Sequence, residues 1–379
     1  MAGSYEFWLT DDYGRRLADR EGRTLLDKIL SGTFQRVANG AGRFSARFPA
    51  SFDTTLLKPD YMLQVWRAPQ GGRLGLWRTY LIRWWMLARM ESELLIELRG
   101  FDPNSLLSRR IVANYTQTTE SMKLDVEADD LMKEIVDEQA VTDASDPAPS
   151  YGTRAIPDLS VQINTTQGTA ISKDFAWQRL DRVIGDIQRA SQADDNEVFW
   201  DVVEDSISST SITFQFRTKT GQPGADRTET AIFDESRGNL EAAQLIYDWT
   251  EETNYIYAGG QGEDQFREVV QAYDASRIAV SRYGRCEDWS YSSFNSSPEA
   301  VEAAAKQKLM ACRPQRLFTG QAADTAGLVF GRDWEWGDRV TARFLGNEFE
   351  AIIRQVILNI DDNGRETVDA RIESVDWQL

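Results

Sequence analysis

From Tyr5 to Arg99 apolar and polar residues alternate in short runs, and tight-turn residues separate most of the runs, with few helix-length patterns between them. Such alternation sends successive side chains to opposite faces of a strand, so this stretch can bury itself only as β-structure. Tyr5 to Thr10 precedes the turn signal Asp11-Asp12-Tyr13-Gly14, and Arg15 to Leu26 continues through a second turn at Arg20-Glu21-Gly22, which predicts a meander. Phe34, Val37, Phe44 and Phe48 punctuate the next segment, with a bend or bulge at Asn39-Gly40-Ala41-Gly42. Tyr61 to Arg67, Trp77 to Leu87 and Glu93 to Arg99 complete about seven strands, which predicts an antiparallel barrel or sandwich.

After Gly100-Phe101-Asp102-Pro103 the pattern changes. Ala128, Leu131, Met132, Ile135 and Val136 fall at helical spacing, predicting an amphipathic helix over Glu127 to Gln139. An exposed Pro- and Ser-bearing connection is expected at Asp143 to Asp158. A second helix is expected with Ser172 as N-cap and Leu180, Val183, Ile184 and Ile187 on one face. Val198 to Glu204 and Ser211 to Arg217 alternate again, and Leu240 to Ala258 reads as two strands. Ser297, Pro298 and Glu299 signal a third helix start, with Pro314 after its end. Arg339 to Phe344, Phe349 to Ile360 and Val368 to Val375 read as strands joined by turns at Leu345-Gly346-Asn347 and Asp361-Asp362-Asn363-Gly364.

A chain of 379 residues favours two to four folding units, and 41% apolar content with 17 Phe, 12 Tyr and 12 Trp can fill their cores. The densest apolar stretch, Trp77 to Leu87, is broken by Arg78 and Arg83, so no membrane span is expected. The N-terminus has no basic start, apolar region or cleavage site, so no export signal is expected. Cys286 and Cys312 are too few for a disulfide framework, and a bridge between them is not expected. A net charge of −18 repels phosphate backbones and argues against tight nucleic-acid binding.

The chain has no histidine, which removes the usual base of serine and cysteine hydrolases and the usual zinc and iron ligand. It also has no Ser-x-x-Lys, no Gly-x-Ser-x-Gly and no Gly-Lys-[Ser/Thr] phosphate loop. Carboxylate pairs for glycan cleavage remain, Glu204 with Asp205 and Glu335 with Asp338, but adjacent strand residues diverge and 60 acids make pairs common by chance. Asn359 to Glu366 concentrates acids around a glycine, yet Glu366 stands two residues beyond Gly364 where a calcium loop needs six, so a plain hairpin turn is expected. Gly259 to Gly262 lacks the dinucleotide spacing and reads as a loop. Trp66, Trp77, Trp84 and Trp85 fit sugar stacking less well than a core or subunit interface. No catalytic, cofactor-binding or metal-binding residue is assigned, and no cofactor is expected.

Four segments in order carry a family resemblance. They are Leu9 to Gly14 with Val37 to Phe44; Gly100 to Leu107 with Arg109 to Val112; Arg277 to Glu287; and Trp334-Glu335-Trp336-Gly337-Asp338-Arg339-Val340. In this series the chain resembles the baseplate and tail-tip hub proteins of tailed phages and contractile injection systems, especially those of long flexible-tailed phages. The resemblance implies a mainly β fold with α+β parts: two tube-like antiparallel β-barrels, a mixed α/β domain and a small helical insertion. The implied boundaries are 1–103 for the first barrel, 104–235 for the mixed domain, 236–264 with 314–379 for the second barrel, and 265–313 for the insertion. It further implies a non-enzymatic homotrimer in the virion, at the tail tip, made in the host cytoplasm. The ring would join a distal tail protein or tail tube to a central fibre or spike protein around the DNA and tape-measure protein channel. Three copies carry −54, and an acidic lumen would let DNA slide. Some such hubs carry a further C-terminal peptidase, lysozyme or fibre region; ending at Leu379, this chain is expected to leave wall digestion and receptor binding to other proteins. The alternative is a carbohydrate-binding or glycan-cleaving β protein acting on host surface polymers.

Overall fold

The computed structural model describes residues 4–376 apart from 19–20, 27, 51–53, 55–56, 70, 91–92, 114–121, 143–152, 176, 194–195, 261–266, 268, 292–297 and 326. The N-terminal alternation forms β1 (Ser4–Thr10), β2 (Ser31–Val37), β3 (Arg43–Pro49), β4 (Met62–Ala68), β5 (Gly75–Met90) and β6 (Glu93–Phe101). Between β2 and β3 the chain turns at Asn39, whose φ of 56° is left-handed, a conformation asparagine tolerates. The meander expected from Arg15 to Leu26 is not a pair of strands: it touches β1 through isolated bridges, Thr10↔Arg16 and Phe7↔Leu26. Arg15 to Arg23 offers only Leu17 and Ala18 as apolar anchors, too few to give a strand a buried face.

The middle of the chain forms β7 (Met122–Glu127), α1 (Ala128–Val136), β8 (Leu159–Val161), β9 (Ala170–Asp174), α2 (Leu180–Ala193), β10 (Val198–Ile207) and β11 (Ile212–Thr220). The five apolar positions expected on one face of α1 are all fully buried. So is Lys133 on the other side, where its Nζ donates to Asp129 at 2.9 Å and to Thr165 Oγ1 at 3.0 Å. That helix is therefore enclosed rather than amphipathic at a surface. Ser172, expected as the cap of α2, lies instead in β9, which pairs antiparallel with β7, and the helix begins at Leu180. The connection expected at Asp143 to Asp158 lies outside the described residues as far as residue 152.

The C-terminal part supplies β12 (Ile232–Asp234), β13 (Leu240–Asp248), β14 (Tyr255–Gly259), β15 (Val269–Tyr273), α3 (Ala275–Ile278), β16 (Glu287–Tyr291), α4 (Pro298–Ala311), β17 (Gln315–Ala323), β18 (Arg339–Phe344), β19 (Asn347–Ile360) and β20 (Glu366–Asp376). Pro298 opens α4 as expected, while the cap Ser297 lies outside the described residues.

The protein is mainly β, built on a large antiparallel sheet of order β1-β4-β5-β6-β3-β2-β19-β20-β17-β13, with β18 on β19 and β12 parallel to β18. β19 is the seam. Its first half pairs with β18, its second half pairs with β2 from Ile360↔Gly32 to Gln355↔Val37, and β20 runs along the other edge. One core, from Phe7 and Phe34 through Phe330 and Trp334 to Ile372, fills both portions. Among the described residues no ladder joins β1 to β2 or β12 to β13, so the two expected tubes are two portions of one sheet rather than separately closed barrels. β14, expected with the second barrel, pairs instead with β15 and β16 in a three-stranded sheet against α4, where Ile256, Ala258, Ala272, Val301 and Ala305 form a small core. The segment expected as a helical insertion is thus part strand. A third core, lined by α1, α2, β10 and β11, also takes in Met62 and Leu81 of the large sheet.

Candidate functional site

Three of the four family-like segments meet at one buried junction. Arg78 of β5 is 1% exposed and stands among three carboxylates: Asp102 Oδ2 at 3.0 Å, Asp201 Oδ1 at 2.7 Å and Glu204 Oε2 at 3.9 Å. Arg36 of β2 donates to the other oxygen of Asp201 at 2.8 Å, and its guanidinium lies 4.0 Å from the ring centre of Trp336. Asn104 donates to the Gly40 carbonyl at 2.7 Å and accepts from the Val202 amide at 2.6 Å; Asn39 Oδ1 accepts from the Trp200 amide at 2.9 Å. The turn after β2 and the Asp-Pro-Asn exit from β6 therefore clamp β10 to the large sheet, and the Trp-Glu-Trp segment stacks on the Arg36 that holds Asp201. Arg277 of the fourth segment lies elsewhere, donating to the Thr253 carbonyl at 2.8 Å and the Cys312 carbonyl at 3.0 Å.

Two glycines let these strands approach. A Cβ on Gly42 would lie 2.1 Å from the Gln35 carbonyl oxygen, and one on Gly100 would lie 1.8 Å from that of Leu81.

Two guanidinium groups serve three carboxylates here, so one acid must yield. Burial pushes Asp102 up to about 6, with the neighbouring Asp201 charge adding to the shift against the pull of Arg78. Burial acts on Asp201 in the same direction, but Arg78 and Arg36 outweigh it and hold that carboxyl below its usual range. The folded state thus takes up a proton at Asp102 between about pH 6 and 4 that the unfolded chain, with an ordinary value of 3.8, does not bind. Stability from this group therefore rises as pH falls through that window, by up to about 3 kcal/mol. Asp102→Asn keeps the shape and removes the titration, so its urea midpoint changes less between pH 7 and 5 than that of the wild type. Parallel midpoints for both proteins would contradict the assignment.

Most of the other acids weighed for chemistry are held in structural roles. Glu204 accepts from the Thr79 amide at 2.6 Å while Asp205 turns outward to Arg217 at 2.8 Å, so the two diverge. Asp338 accepts from the Ala225 and Glu335 amides at 2.7 and 2.8 Å and pairs with Arg227 at 2.7 Å. Glu366 binds Arg67 at 2.8 Å and accepts from the Tyr5 hydroxyl, and Asp361 caps the amides of Asn363 and Arg365, so Asn359 to Glu366 is a hairpin turn. Both cysteines are free. Trp77 and Trp85 pack on the core, whereas Trp84 is 40% exposed under the Arg99 guanidinium, and Trp66 lies under Arg16.

What the chain presents outward is a broad polar sheet face with two open edges. Arg43, Arg47, Arg99 and Arg371 interleave on that face with Glu97, Glu241, Asp369 and Glu373, and Glu97 pairs with both Arg47 and Arg99. Beside Trp84 the face sinks into a hollow of about 600 Å³ lined by Phe44, Phe101, Ile357 and the arginines Arg43, Arg83 and Arg99. The small sheet carries a second aromatic patch, in which Tyr255 stacks on Tyr273 with ring centres 5.4 Å apart and Arg285 covers it at 3.9 Å.

A family model described as Siphovirus ReqiPepy6 Gp37-like protein matches residues 18–372. The 43 kDa tail protein of prophage MuSo2 from Shewanella oneidensis aligns with TM-score 0.54 and 10% identity over 97% of this chain and 98% of that one. The tail protein of Neisseria meningitidis MC58 aligns with TM-score 0.53 and 12% identity over 98% and 97%. At such identities the likeness is one of fold. No curated protein matches the chain in sequence.

Proposed function

The chain belongs to the Siphovirus ReqiPepy6 Gp37-like protein family, and from that premise we propose that it is a non-enzymatic structural component of a phage tail. In this reading it is the tail-tip hub, a homotrimer that joins a distal tail protein or the tail tube to a central fibre or spike around the DNA and tape-measure channel. The observation that carries the reading is the end-to-end fold likeness to a 43 kDa tail protein, in a chain of 43.0 kDa. The β19 seam suits such a part, because it fuses two strand sets into one stiff wall while β10 is bolted on by buried charge. The glycan-cleaving alternative is not favoured, since three of its four carboxylates are committed, Glu204 to the Thr79 amide, Asp205 to Arg217 and Asp338 to two amides and Arg227.

The sheet's polar face is the natural channel wall of a ring. Its interleaved charges make that wall mixed rather than uniformly acidic, so DNA would pass a surface that offers no continuous basic track. The excess negative charge then acts elsewhere, in solubility.

Light scattering of the purified chain, alone and with an equimolar distal tail protein, tests the ring. A trimer has a mass of about 129 kDa, three times 43.0 kDa. A chain that stays monomeric under both conditions overturns the ring.

A further inference from the structure

Several strand edges of the large sheet are not paired within the sheet, and one of the long ones is covered. The outer edge of β1 is met by Arg16, Leu17 and Leu26, which give bridges at Thr10 and Phe7 and a hydrogen bond from the Leu17 amide to the Leu9 carbonyl. Two other long ones are bare among the described residues. β4 pairs with β5 only as far as Leu81, so the distal half of β5, from Arg83 to Met90, has a partner on the β6 side alone. β13 ends the sheet and pairs only with β17. Long open edges with apolar side chains invite pairing with another chain, and proteins normally blunt them.

These two edges are not blunted; they complement one another. On β5, Trp84, Met86 and Leu87 are 40–46% exposed on both faces of the strand. Arginines flank this apolar run: Arg83, which already pairs with Asp60, and Arg89, which makes no ion pair among the described residues. On β13, Ile246 and Tyr247 are 40% and 49% exposed beside the half-buried Leu245. Carboxylates flank that run, Glu241 without an ion-pair partner among the described residues and Asp248 engaged only with Thr250. One edge reads basic-apolar-basic and the other acidic-apolar-acidic. Met86 and Ile246 stand at the centres of the two runs, and both belong to the polar face of the sheet: Met86 opposite Glu97, Ile246 opposite Leu317.

We propose that β13 of one copy of this chain pairs edge to edge with the distal half of β5 of a second copy, with Ile246 beside Met86, so that the sheet and its polar face continue from subunit to subunit. The contact is heterologous, joining two different patches, and repeated contacts of that kind close into a ring when the rotation permits. Main-chain hydrogen bonds supply the pairing, the apolar runs cover each other on both faces, and the flanking charges oppose a β5-to-β5 or β13-to-β13 match. This inference rests on the ring reading above and says which surfaces make the ring.

The test is Met86→Cys with Ile246→Cys in a full chain whose Cys286 and Cys312 are replaced by serine, oxidised mildly at micromolar concentration. The expected result is covalent dimer and trimer bands on a non-reducing gel for the double variant and neither trimer nor ladder for either single variant. A second variant, Ile246→Lys, changes only an exposed side chain and raises the concentration at which the assembly dissociates at least tenfold. A trimer in solution that gives no cross-link in the double variant, or that is unmoved by Ile246→Lys, overturns this edge pairing while leaving the ring standing. A persistent monomer overturns both.

Discussion

Arg78→Met unfolds the protein at a markedly lower urea concentration than the wild type, because it leaves Asp102, Asp201 and Glu204 facing one another with only Arg36 near them. Arg78 is 1% exposed and Asp102 0%, so water cannot replace the lost cation. Removing one partner from a buried ion pair costs about 3–5 kcal/mol, and the loss here strands a group rather than a single acid. Without the pull of Arg78 the Asp102 carboxyl takes up its proton at a higher pH than in the wild type, so part of that cost is relieved on acidification before the wild type gains the same proton. Trp200 and Trp336 sit at the junction, so they contribute to the change in tryptophan fluorescence as it opens. Arg78→Lys recovers part of the loss, because an ammonium carries the charge but cannot fork to Asp102 and Asp201 together. An unchanged midpoint for Arg78→Met would mean that β10 is not held by this charge cluster.

Gly100→Ala has an effect of similar size for a steric reason. The added Cβ would stand 1.8 Å from the Leu81 carbonyl oxygen and 2.9 Å from Phe44 Cε1, so β5 and β6 must part where they are paired on both sides of the residue. Overpacking a close-packed site costs about 1–3 kcal/mol, and a clash with main chain in the middle of a ladder belongs at or beyond the upper end. Gly75→Ala is the control in the same sheet. Nothing lies within 4 Å of its Cβ position, so its midpoint stays within about 0.5 kcal/mol of wild type. Equal midpoints for the two variants would show that β6 can shift at Gly100 without loss.

Much of the secondary structure was legible. Tyr5 to Thr10, Tyr61 to Arg67 and Phe349 to Ile360 are strands because alternation is a local property of the chain, readable without knowing any partner. Where a local signal had two readings, the partner decided: Ala170–Asp174 found β7 and became a strand, and Arg15–Leu26, short of apolar residues, found only bridges. The junction was harder to see. Arg78 interrupts the densest apolar run of the sequence, which argues against a membrane span; a charge at a core position of a strand is also the mark of a buried ion pair. Its partners could not be named from sequence, since Asp201 lies 123 residues away.

The sequence by itself determined most of the strands, the apolar faces of α1 and α2, the absence of histidine-based chemistry and the ordered series of segments that resembles a tail hub. Only the tertiary structure decided that β2 pairs with β19, that two expected tubes share one sheet and core, that Lys133 and Arg78 are buried, and which strand edges stay open. The reason is the range of the forces involved. Strand and helix preferences are settled by neighbours within a few residues, whereas the β2–β19 ladder and the pairing of Arg78 with Asp201 join residues more than a hundred positions apart, which meet only once the chain has folded.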